Sequence, residues 1–225
     1  MLLAVLEPER YLTWMMKRIV TLGGNINQMS VTSLAEAAEV VPGSVDLVAN
    51  CAGIFGGRLA GDDNGVYPIR GQIARVAPTR ISLSRFFLVD LTVEDEVAYI
   101  LPRDDCTVLG GTEQVGDWRE TTDGKDTGEI LRKCAAMLPG IKNSPIVSEW
   151  AGLRPSRKPE VRMEVARLER GPIVIHNYGH GGSGLTIHWG CAKECMRLLK
   201  LALGGHGGGR GKGILTGPVG RRSNL

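Results

Sequence analysis

The apolar run Ile173–Val174–Ile175 leads into HNYGHGGSGLTIHWG, residues 176–190, whose glycines at 179, 181 and 184 spell G-x-G-x-x-G. An apolar run entering a small-residue turn, followed by an apolar stripe at helical spacing, predicts strand, tight turn and helix. After the turn the stripe is Leu185, Trp189, Ala192, Met196 and Leu199, expected as one buried helix face. This unit places the chain among proteins that layer helices on a sheet, an α/β fold of mixed α+β character. Such a glycine pattern marks a full dinucleotide site only when a second strand follows with an acidic residue about 20 positions on. Past Leu201 the chain is glycine-rich and carries no Asp or Glu, which disfavours an NAD enzyme. Two readings of the loop stay open: small residues and a helix N-terminus that accept an electron-rich group, or a tight turn packed on the sheet.

Earlier segments supply the rest of the architecture. Pro8 and the spacing of Tyr11, Met15, Ile19 and Leu22 predict a helix over residues 8–22, stopped by Gly23. A short strand over 25–29 and a helix over 33–40 follow, and VDLVANCAG reads as a buried parallel strand ending in a small-residue turn. YPIRGQIARVA, AYILP and CTVLGG are strand-like and separated by Pro, Asp and Gly, as in an antiparallel or mixed sheet. A helix over 129–138 ends at Pro139 and Gly140, and the Pro- and Arg-rich AGLRPSRKPEVR follows SPIVSEW. Alternation at Val161, Met163 and Val165 ahead of Gly171 and Pro172 predicts a hairpin feeding the glycine loop.

Charge excludes some function classes. Four of the 27 basic residues lie in 203–225, which holds no acid, so the remaining 23 face 24 acidic residues and no basic surface for nucleic acid is expected. Five cysteines without C-x-x-C spacing point to structural thiols, and His176, His180 and His188 lack the companions of a metal site, so no metal is expected. The start lacks a signal-peptide core and there is no run of about 18 apolar residues, so neither secretion nor a membrane span is expected.

Seven motifs in order, NCAG (50–53), RGQ (70–72), YILP (99–102), LGGT (109–112), GDW (116–118), GLRP (152–155) and HNYGHGGSGLTIHWG, resemble the D-amino-acid oxidase family, which includes D-aspartate oxidases. The resemblance implies a glutathione-reductase-like FAD-binding domain, here 1–65 with 143–202, and an antiparallel or mixed-sheet substrate domain, 66–142. Residues 203–225 are then a flexible tail. It implies FAD as cofactor, D-amino acid and oxygen as substrates, and oxidative deamination by hydride transfer to flavin, giving a 2-oxo acid, ammonia and hydrogen peroxide. By the same resemblance, Arg154 grips the substrate α-carboxylate through two-point contact and Tyr99 helps hold it. Cys51, Ala52, Gly53, Arg162, His180, Gly181, Gly182, Ser183, Gly184, Leu185 and Thr186 surround the cofactor, with Gly182 also beside the substrate. The SNL end resembles a peroxisomal import signal, which implies an import receptor as partner and the peroxisomal matrix as location; a homodimer stays open.

Departures from the family pattern carry expectations too. No dinucleotide-binding strand, glycine turn and helix precede Glu7, so the chain is expected to be shortened, and a non-catalytic product that does not hold FAD is the rival of another class. A second family tyrosine is replaced by Asp95, and an arginine of the aspartate oxidases by Glu113. If Glu113 lines the pocket it repels a second substrate carboxylate, which favours neutral or basic D-amino acids over D-aspartate.

Overall fold

The computed structural model describes residues 6–78, the backbone of 87–88, and residues 98–169 and 171–204. Contacts divide it into two compact units: one holds the described residues of 1–30 and 67–156, the other those of 31–66 and from Arg157 onward.

The first unit is built on a mixed-length antiparallel sheet. Its strands are β2 (Val66–Val76), β3 (Phe87–Leu88), β4 (Tyr99–Pro102), β5 (Thr107–Gly110), β6 (Gln114–Val115) and β7 (Ile146–Arg157), paired in the order β3-β4-β5-β2-β6, with β7 on β2. Alternation along β2, β4 and β5 sends Ala74, Val76, Ile100 and Leu109 to one face, where Ile130 and Cys134 of α4 (Gly124–Met137) and Ile141 complete a dry core. The other face carries Gly71, Ile73, Tyr99, Leu101 and Val108. Asp123 caps α4 by accepting from the Lys125 amide, so the helix starts five residues before the expected 129, and Leu138 ahead of Pro139 ends it. The first helix, α1 (Pro8–Thr21), buries none of its residues. It joins the unit through ion pairs of Glu7 with Arg103, Glu9 with Arg75 and Arg10 with Asp104.

In the second unit β1 (Leu47–Asn50) pairs parallel with β9 (Ile173–Tyr178), and β8 (Arg162–Arg167) pairs antiparallel with β9 on the far side, giving the order β1-β9-β8. The parallel strand and the hairpin are both as read from the sequence. The helices are α2 (Leu34–Glu39), α3 (Gly56–Ala60) and α5 (Gly184–Gly204).

Several expectations change. Residues 25–29 form no strand. The first seven residues of the Pro- and Arg-rich segment, AGLRPSR, for which the sequence predicts no element, form the second half of β7, paired with β2. That pairing places residues 146–156 with the first unit, and the ion pairs place α1 there as well, so neither falls in the expected cofactor domain. On α5 the stripe expected to be buried is exposed at Leu185, Trp189 (62% exposed) and Met196, while Cys191 is buried. The helix is apolar on more than one side, and contact with β8 and β9 selects the Cys191 side. Asp95 and the SNL end lie outside the described residues.

Candidate active site

Three glycines on the open face of the first unit each lie under a large side chain. A Cβ on Gly71 would fall 2.4 Å from the guanidinium carbon and both terminal nitrogens of Arg154, so the guanidinium lies against the bare backbone of RGQ. A Cβ on Gly110 would fall 2.0 Å from the Tyr99 ring, and one on Gly152 2.1 Å from the ring of Trp150. Only glycine permits these approaches. Arg154, Tyr99 and Trp150, with Ile73, Leu101, Arg103, Val108 and Leu153, then line a cavity of about 260 Å³.

Two arginines, Arg103 and Arg154, and the Tyr99 phenol are the ionisable groups that border that cavity. Arg154 Nη1 donates to the Thr112 carbonyl at 2.8 Å, and among the described residues no carboxylate lies within ion-pair distance of it. Burial raises the Tyr99 hydroxyl above the usual tyrosine pKa, Arg154 opposes this and Glu113 adds to it, so the phenol stays protonated at neutral pH and can donate. Glu113 is exposed and is not among the residues that line the cavity, so the expected place in the pocket wall is not found; its charge only adds to the rise at Tyr99.

Behind the cavity is a buried polar network that the sequence reading did not find. Arg70, fully buried, donates to Gln114 Oε1 (2.5 Å), Asp126 Oδ2 (2.7 Å), Gln72 Oε1 (2.7 Å) and the carbonyls of Arg119 (2.9 Å) and Thr121 (2.6 Å). Gln72 donates in turn to the Asp123 carbonyl and to Thr127 Oγ1. An arginine and a glutamine within an alternating strand look solvent-facing; only the acceptors brought by residues 112–127 satisfy them inside.

The remaining predicted residues belong to the second unit. The parallel strands β1 and β9 end alike: Gly53 and Gly181 both sit at φ +56°, each opens a 3-10 turn, and α3 and α5 follow. Left-handed φ at these positions is why glycine is required there. Cys51 is exposed with Sγ 3.8 Å from Asn177 Nδ2, and Ala52 N donates to Asn50 Oδ1 at 3.4 Å. Gly182, Ser183, Leu185 and Thr186 are exposed, and His180 Nε2 lies 3.5 Å from Cys191 Sγ. Burial lowers the His180 pKa, so its ring is neutral near pH 7. Arg162 is committed elsewhere: it holds Asp62 through two contacts of 2.5 and 2.9 Å, and also Glu164 and the Tyr178 hydroxyl. Asp63 accepts from Tyr178 Oη and Arg157 Nε, both at 2.7 Å; burial alone would raise its pKa, but these donors hold it below the usual value.

Residues 3–198 match the family described as FAD dependent oxidoreductase. The chain belongs to that family. Among its FAD-dependent relatives, the D-amino-acid oxidase of Rubrobacter xylanophilus is 43% identical over 199 residues, 88% of this chain and 58% of that protein. D-aspartate oxidase 2 of Caenorhabditis elegans is 35% identical over 204 residues, again 88% of this chain and 58% of that protein. This chain therefore spans a little over half the length of the curated relatives it matches. The glycine oxidase structure from Bacillus cereus superimposes with a TM-score of 0.56 at 23% identity, over 70% of this chain and 42% of that one, which is a likeness of fold.

The second unit tests the family's cofactor against the residues present. Cofactors of open α/β sheets bind outside the carboxyl ends of the strands, and that is where Gly53 and Gly181–Gly184 stand. The latter open the 21-residue helix α5, whose first amides carry partial positive charge. Glycines at 181, 182 and 184 leave the backbone of that loop bare at three of its positions, where a flat ring can approach closely. These residues fit a flavin.

Proposed function

We propose that this chain carries the substrate cleft and the flavin-facing loop of an FAD-dependent oxidase of D-amino acids. The observation that carries the proposal is Arg154, a guanidinium without a carboxylate partner among the described residues, laid on Gly71 beside the Tyr99 hydroxyl in a cavity. Its planar fork fits an α-carboxylate at two points. Tyr99 donates a further hydrogen bond, and Ile73, Leu101 and Trp150 exclude water from the side chain of the amino acid. The names of the relatives support the D-configuration.

Residues 180–186, with Cys51–Gly53, would hold the flavin, and the α5 N-terminus would favour negative charge on it. When bound, FAD takes up two electrons and the α-hydrogen; water converts the imino acid to a 2-oxo acid and ammonia, and oxygen leaves as hydrogen peroxide. Glu113 lies outside the cavity lining, but its negative charge in the segment next to Thr112 would disfavour a second carboxylate on the substrate, so we propose neutral or basic D-amino acids, with D-aspartate as the alternative. We further propose that Ser223–Asn224–Leu225 is read by a peroxisomal import receptor, which a fluorescent fusion ending in residues 204–225 would report.

The test is purification in the presence of FAD. A yellow protein that makes peroxide from D-alanine, and loses that activity in Arg154→Met, supports the proposal. A colourless protein without peroxide formation identifies a non-catalytic product, and a yellow one indifferent to Arg154→Met overturns the carboxylate assignment.

A further inference from the structure

The ladder between β2 and the segment β5–β6 changes register by one residue. Ile73 faces Gly110 and Arg70 faces Gln114, so two residues of β2, Gly71 and Gln72, stand opposite three, Gly111–Glu113. This is a β-bulge, a device that bends a strand and redirects its polar groups, often beside functional sites. At the bulge the Gln72 amide finds no ladder carbonyl and donates instead to the Thr112 hydroxyl at 2.9 Å. The Thr112 carbonyl is thereby free to turn toward the cavity, where it accepts from Arg154 Nη1 at 2.8 Å.

We propose that Thr112 is a positioning residue of the carboxylate site: its hydroxyl substitutes for a ladder carbonyl at the bulge so that its own carbonyl can orient Arg154. The buried network explains why the bulge keeps its shape. Arg70 fastens Gln114 and the carbonyls of Arg119 and Thr121 downstream of Thr112, and the Gln72 side chain fastens the α4 N-terminus at Asp123 and Thr127. Thr112 is therefore held upstream by the β5 ladder that ends at Gly110 and downstream by this network, and cannot relax into regular pairing. The same carbonyl uses one of the guanidinium nitrogens and leaves the remaining donors for an anion, which fixes the plane in which a carboxylate must arrive.

This inference rests on the proposed carboxylate role of Arg154, and the experiment separates the two. The probe is sodium benzoate, a carboxylate with a flat apolar body suited to a cavity walled by Tyr99, Leu101 and Trp150, titrated into the purified chain by calorimetry, with the melting temperature measured in parallel. Thr112→Val keeps the shape and removes the acceptor, and should raise the benzoate Kd about tenfold while the protein still melts cooperatively; Thr112→Ser should restore the Kd to within about twofold. Thr112→Ala reads the same quantity if the valine variant does not fold. A Kd that stays constant across valine, alanine and serine variants, with only the melting temperature moving, overturns the positioning role and leaves the Arg154 site standing. If Arg154→Met binds benzoate as well as the unaltered chain does, the carboxylate site itself is wrong.

Discussion

Gly71→Ala should disable the proposed site without harming the fold. The new Cβ would lie 2.4 Å from three atoms of the Arg154 guanidinium, whereas carbon and nitrogen in ordinary contact need about 3.5 Å, so the guanidinium must retreat by about 1 Å. Because the obstructed atoms are the far end of a flexible side chain, the movement is cheap. Gly71 is not among the residues with positive φ, so alanine suits its backbone, and loss of glycine's unfolded-state freedom contributes about 0.4–1 kcal/mol of stability. A misplacement of about 1 Å at a substrate-orienting group costs on the order of 100-fold in rate, equivalent to about 2.7 kcal/mol of transition-state stabilisation. The expected result is a melting temperature equal to or above that of the unaltered protein, with a benzoate Kd at least tenfold weaker and, in the FAD-loaded protein, kcat/KM for D-alanine about 100-fold lower. Unchanged binding and turnover in a well-folded Gly71→Ala protein would refute the placement of Arg154 over that glycine.

Other outcomes follow from the same geometry. Arg154→Lys keeps the charge but loses the planar fork, so KM for D-alanine in the FAD-loaded protein should rise at least tenfold, with the melting temperature little changed. Glu113→Arg should raise turnover of D-aspartate relative to D-alanine; an unaltered ratio removes Glu113 from the substrate's surroundings. Acid should destabilise the second unit. His176, buried and beside Arg162, has a pKa lowered in the fold, first by burial, as does His180, so the unfolded chain binds more protons just below pH 6.5. Stability from these groups is complete above that pH and is lost as pH falls toward their folded values. Melting temperature should therefore drop between pH 7.5 and pH 5.5, and His176→Gln should flatten that slope; a slope of the opposite sign would contradict the shifts.

What the sequence determined by itself was local or periodic. An apolar run before HNYGHGGSGLTIHWG sufficed for strand, turn and helix, the alternation at 161–165 for the hairpin, and the motif order for the family, because chain stiffness, side-chain period and glycine's left-handed φ act within a few residues. Arg154 and Tyr99 were legible only as members of motifs that resemble the family, since a guanidinium in GLRP says nothing about what it faces. Tertiary structure alone decided that AGLRPSR is a strand, that RGQ contributes its glycine as a bed for Arg154, and that Arg70 is buried. It also chose the Cys191 side of α5 for packing and set the bulge that gives Thr112 its two bonds. Each of these depends on partners far apart in the chain: burial of a polar group is tolerable only where remote acceptors meet it, and a glycine becomes indispensable only once another strand lays a side chain across it.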